Sequence, residues 1–173
     1  MLRAEESYQW LDSAEARVIF LQPLKYLPLN ADRTIDLSLG GGYRARREHF
    51  TNENYTSEDQ SYYSQRLYFH AALQLNKHLR VFGELYSGIV SGQETNPLES
   101  DRVDLHQGFV EYRTLQSSRL SATVRLGRQE MGYGASRLVG IREGPNMRRS
   151  FDLAQAMIRK KRMSLDLFYG KEV

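Results

Sequence analysis

Cysteine is absent from the 173 residues, so neither a disulfide nor a thiolate metal site is available. Tryptophan occurs once, proline four times, and lysine only 5 times against 19 arginines. No uninterrupted apolar run approaches the ~20 residues a membrane-spanning helix needs, which excludes a helical membrane protein. A mean hydropathy of −0.59 leaves a membrane β-barrel open, because strands that alternate lipid-facing and water-facing residues average to a hydrophilic chain. The opening Met1-Leu-Arg-Ala-Glu-Glu has no apolar signal core. An exported protein with this start is expected to be a mature or shortened form.

What is present points to strands. Eleven tyrosines favour strand-borne aromatics over a helical bundle. The net charge of +3 conceals the arginine excess, and arginine suits planar, bidentate recognition of carboxylate or phosphate. A mixed N-terminal extension over 1–30 contains a candidate short helix at 13–21 and an extended lead-in from Leu24, turning at 30–33.

Beyond it, alternation predicts strands over 34–50, 62–75, 79–90, 102–113, 119–128, 151–159 and 163–169. The phase slips near His106-Gln-Gly108, which predicts a bulge. Polar loops at 51–61 and 91–101 are long, whereas the connections at 76–78, 115–118 and 159–162 are short. Short turns at one end and long loops at the other are the pattern of an outer-membrane barrel, and strands of this length suit a tilted bilayer span. Seven strands fall below the minimum of about eight for such barrels, so 31–173 is expected to be the N-terminal part of a larger antiparallel, up-and-down, all-β barrel. The remaining strands and outer-membrane lipid would then be its partners.

Two groups of arginines stand out. Arg44, Arg46, Arg66, Arg80 and Arg125, with His70, fall on the polar phase of the strands, where they either line a water-filled lumen or pair with wall acids Asp36, Glu48, Glu84 and Asp104. The second group occupies 126–152, which fits neither helical nor clean strand spacing. Arg128, Arg137, Arg142, Arg148 and Arg149 lie there with Glu130, Glu143, Asp152 and five glycines. That segment is read either as a loop folded toward a pore or as an internal Arg–carboxylate network; the two are compatible.

Other chemistry is thin. Gly127 and Gly132 have phosphate-loop spacing, but no Lys-Ser/Thr follows. Histidines 49, 70, 78 and 106 lack metal-ligand spacing, and no nucleophile elbow is present, so no metal, cofactor or catalytic activity is expected. Arg159-Lys-Lys-Arg162 reads as a solvated turn and not as a nucleic-acid patch, since no stacking platform accompanies it.

Within 126–152, Leu126-Gly-Arg-Gln-Glu, Tyr133-Gly, Ser136-Arg-Leu-Val, Arg142-Glu-Gly-Pro-Asn and Arg148-Arg-Ser-Phe-Asp152 resemble the alginate export family of outer-membrane β-barrels. Upstream, Leu24-Lys-Tyr-Leu-Pro-Leu, Asp36-Leu-Ser-Leu-Gly-Gly, Gln65-Arg-Leu, Leu79-Arg-Val-Phe and Asp104-Leu-His-Gln-Gly-Phe-Val resemble its first strands in order. The resemblance spans 23–173. It implies a monomeric barrel of on the order of 18 strands, an outer-membrane location and an arginine-lined pore for an anionic solute such as alginate. The rival expectation is a non-transporting soluble β-sheet domain, or a truncated product without activity. That rival requires Leu37, Leu39, Leu67, Phe69, Leu73, Val81, Leu85, Val124 and Leu126 to pack together in a closed interior.

Overall fold

The computed structural model describes residues 3–12, 20–51, 59–92, 101–116 and 120–173. One antiparallel sheet contains eight strands in strict sequence order: β1 (Leu27–Pro28), β2 (Asp36–Phe50), β3 (Gln60–Gln74), β4 (Leu79–Ser91), β5 (Asp101–Gln116), β6 (Leu120–Gln129), β7 (Phe151–Lys160) and β8 (Met163–Glu172). The seven expected strands are present with small shifts at their ends, and the two-residue β1 is an addition. Among the described residues no pairing joins β8 back to β1, so the sheet is open. No helix among them is long and apolar enough to cross a membrane. Most of the candidate helix at 13–21 lies outside the described residues.

Register explains how the sheet separates its two faces. One line of directly paired residues runs Leu37, Leu73, Val81, Val110, Leu126, Ala154 and Tyr169, from β2 to β8. A second, one step nearer the short turns, runs Leu79, Tyr112, Val124, Ala156 and Leu167. Both lie on the same face because side chains alternate with period two. None of the nine side chains on which the soluble rival depends is buried, and Leu67 and Leu126 are each 55% exposed. An apolar face this broad is left uncovered by the chain itself.

The opposite face is polar yet largely buried. A cross-strand row there reads Asp36, Gln74, Arg80, Glu111, Arg125 and Gln155, alternating basic and acidic groups over the central strands. Next to it Tyr68, His70, Phe82 and Phe109 stack at successive centroid distances of 6.3, 5.7 and 5.2 Å. The rings of His70 and Tyr68 lie across β2 where Gly40 and Gly42 stand; a Cβ would come within 2.5 Å of the His70 ring at Gly40 and 2.6 Å of the Tyr68 hydroxyl at Gly42.

The expected slip in β5 is real. Glu84 pairs with Gln107 and Leu85 with Leu105, which leaves His106 as the extra residue of a bulge. His106 and Gln107 are consequently both buried on the inner side.

The short-turn end is tight, as expected. The Asn76 carboxamide accepts from the His78 and Leu79 amides. Lys160 pairs with Met163 across a two-residue hairpin loop at 161–162 in which Lys161 is left-handed (φ 51°).

Candidate functional site: the concave polar face

Two chain segments fold onto the inner face and bury it. The first is N-terminal. Ala4 packs with Ala72, Phe82 and Phe109, and the Arg80 guanidinium donates to the Ala4 carbonyl at 2.5 Å. Arg3 reaches further in, ion-paired with Glu84 and lying 3.8 Å above the Tyr68 ring. Burial alone would lower the Arg3 pKa, but Glu84 outweighs it and holds the guanidinium above its ordinary value. Tyr8 donates to Glu6, and burial followed by that carboxylate pushes its hydroxyl up to about 12. Between this segment and the wall remains a cavity of ≈ 320 Å³ whose lining includes Tyr8, Lys25, Asp36, Arg80, Glu111 and Arg125.

The second segment is the Arg/Gly excursion that follows β6. Gly127 takes φ 124° against Gly108, where a Cβ would lie 2.3 Å from the Gly108 carbonyl oxygen, so only glycine permits this approach. The chain then leaves the sheet and returns across the inner face of β2 to β4. Arg66 donates to the carbonyls of Asn146 (2.8 Å) and Pro145 (2.6 Å), and the Tyr86 hydroxyl donates to the same Asn146 oxygen at 2.9 Å. Asn146 is fully buried; its carboxamide donates to the Gln65 carbonyl and accepts from Arg44. Arg44 and Arg66 are direct cross-strand neighbours. Like charges so placed repel, and the loop carbonyls between them offset the cost.

The expected arginines therefore fall into distinct environments. Arg125 donates twice to Oε2 of Glu111 (2.6 and 3.0 Å), and Arg113 meets Oε1 of the same carboxylate at 2.9 Å. Arg46 pairs with Glu48 at 2.7 Å. Arg148 bridges Glu130 (3.1 Å) and Glu143 (2.9 Å), so the loop network is present with those two acids. Arg149 pairs with Glu172 of β8 at 2.6 Å. Arg137 and Arg142 are exposed in the excursion. Arg44 and Arg80 have no carboxylate partner among the described residues, and Arg66 has only Glu143 at 3.6 Å. These three guanidiniums, on neighbouring strands, are the inner-face arginines without a close carboxylate among the described residues.

One expectation is corrected. Arg128 is not on the inner face: it follows Leu126 on the outer phase, where it pairs with Asp152 (2.9 Å) and Asp104 (3.4 Å). Alternation in β6 requires this, because Arg125 and Arg128 are an odd number of residues apart. With Asp152, expected in the loop network, it forms a polar pair on the outer wall at the long-loop end. Sequence reasoning also missed Glu111, His106, Tyr86, Asn146 and Arg3. Glu111 and His106 were hidden by the bulge, and Asn146 carried only the turn signal of Gly-Pro-Asn. The histidine expectation needs amendment too: Glu84, His106 and Glu130, distant in sequence, present ligand atoms within 4.8 Å of one another.

A family model described as alginate export matches residues 35–171. No curated protein and no solved structure matches the chain.

Proposed function

The chain belongs to the alginate export family, and from that membership we propose that it forms part of an anion-conducting wall of an outer-membrane channel. The family is one of outer-membrane export channels, a transport family. The finer reading is passive diffusion or export of an anionic solute, with an anionic polysaccharide such as alginate as the leading candidate. Its mechanism is electrostatic and involves no covalent step. The apolar lines through Leu126 and Val124 face lipid, and guanidiniums on the inner face replace part of the hydration of a passing anion. Conduction needs sites that attract yet release. Arginines already committed to carboxylates or carbonyls meet that requirement, since they offer residual charge without a preformed tight site.

The observation that carries the reading is the division of the sheet: one continuous apolar face, and one face on which Arg44, Arg66 and Arg80 lack a close carboxylate. The exposure of the outer side chains weighs against the soluble rival. Planar-bilayer conductance of the full-length protein is the test. A salt gradient is expected to give an anion-selective reversal potential that moves toward zero in the Arg66→Gln/Arg80→Gln double variant. Cation preference in the parent protein would sink the proposal.

A further inference from the structure

We propose that Glu84, His106 and Glu130 form a site for a zinc-class divalent cation, and that Arg3 of the N-terminal segment is a displaceable guanidinium that fills it. Metal and segment then exclude one another. The site is independent of which solute the channel carries.

The three ligands come from three places in the fold. Glu84 stands in β4, His106 is the bulged residue of β5, and Glu130 follows β6 directly. All are nearly inaccessible, at 1%, 4% and 2% exposure. One ligand atom from each lies within 4.8 Å of the others. Two donors of a tetrahedral zinc ion stand about 3.3–3.6 Å apart, so the ligand atoms must close on the ion by roughly an ångström, a movement that side-chain rotation can supply.

The carboxylates have unused capacity. Oε1 of Glu84 accepts from Arg3, with Gln107 at 3.5 Å. Oε1 of Glu130 meets His106 at 2.9 Å and Arg148 at 3.1 Å. Oε2 of each residue is buried without a hydrogen-bond partner. A buried carboxylate oxygen left unpaired is costly, and two of them in one cluster with an imidazole leave acceptor capacity that Arg3 and Arg148 do not fill.

Charge accounting identifies which occupant is exchangeable. With Arg3 and Arg148 in place the two carboxylates are neutralised. Arg148 is bound into the excursion through Glu143 and flanks the buried Asn146. Arg3 belongs to a segment outside the sheet, held by the Tyr68 face and by the Arg80–Ala4 hydrogen bond. Its departure leaves one net negative charge beside two unpaired carboxylate oxygens and an imidazole hydrogen-bonded to Glu130. His106 then binds through the Nε2 that now faces Glu130, with its proton on Nδ1. Two carboxylates and an imidazole suit zinc and its neighbours; calcium takes six to eight oxygens and no nitrogen.

The test uses the full-length protein folded in detergent, with a fluorophore on Ser7→Cys, as these 173 residues contain no cysteine. Zinc is expected to lower the anisotropy of this label as the segment leaves the wall, whereas calcium does not. Because the two occupants compete, Arg3→Gln is expected to bind zinc about tenfold more tightly by calorimetry, and His106→Gln is expected to abolish binding in either background. Equal zinc affinity with and without Arg3, unchanged affinity in His106→Gln, or absence of binding to Arg3→Gln would each overturn the proposal. Arg3→Gln alters no strand residue, so it stays interpretable even where a change in β4 or β5 hinders folding.

Discussion

β4 and β8 carry the same sequence alternation and end in opposite states. In β4 every second side chain from Arg80 to Val90 is buried, with Phe82 and Tyr86 at 2% and 1% exposure. In β8 the corresponding inner residues Ser164 and Phe168 are exposed, and only Asp166 is partly covered. Pairing is one part of this: β4 has a neighbour on each side, whereas β8 is the edge of the described sheet and pairs with β7 alone. The other part is what covers their inner faces. The N-terminal segment and the Arg/Gly excursion both lie over β2 to β5, while β8 is touched by Tyr133, stacked on Phe168 at 5.4 Å and bonded to Asp166 at 3.1 Å, and at its end by Arg149, paired with Glu172. Alternation thus assigns a face, and long-range folding back of the chain decides whether that face is wet.

The comparison is broken most directly at the aromatic row. Phe82→Ala in β4 is expected to cost about 3–5 kcal/mol, whereas Leu165→Ala on the bare outer face of β8 costs about 0.5 kcal/mol or less in detergent. Urea unfolding followed by circular dichroism would check this, and equal losses would show that both strands are equally packed. A smaller effect is expected at the excursion. Asn146→Ala leaves Arg44 and the Gln65 carbonyl without a partner in a fully buried position, at about 1–3 kcal/mol. Arg137→Ala, exposed in the same segment, should lie within about 0.5 kcal/mol of the parent. If Asn146→Ala is equally silent, the excursion does not rest on the wall as described.

The smallest effect concerns alkaline pH. Folding raises the Tyr8 hydroxyl from its ordinary 10.0 to about 12, so the neutral form is the one the fold favours. That stabilisation is complete below pH 10 and disappears as pH rises through about 12. Emission from Trp10, two residues away, should therefore change over that interval, and Tyr8→Phe should remove the step. A step that persists in the phenylalanine variant would place the titrating group elsewhere.

Strand existence, strand order and the assignment of faces were legible in the sequence, because a period of two survives in nearly every strand. Leu67 and Arg66, or Val81 and Arg80, declare their sides with no tertiary information. The candidate site was only half legible. The same alternation placed Arg44, Arg66, Arg80 and Arg125 correctly on one face, and properly applied through β6 it puts Arg128 on the other. Their partners could not be read. Glu111 meets Arg125 only after the β5 bulge resets the phase, and Asn146 meets Arg66 across 80 positions of chain.

The sequence by itself determined a two-faced antiparallel meander with apolar residues outward and guanidiniums inward, because pleat geometry ties side-chain direction to position. Tertiary structure alone decided which guanidiniums are spent in ion pairs, which carboxylates keep unpaired oxygens, and which stretch of the inner face is covered. Those depend on contacts between residues as far apart as Arg3 and Glu84, and local periodicity carries no information about such pairs.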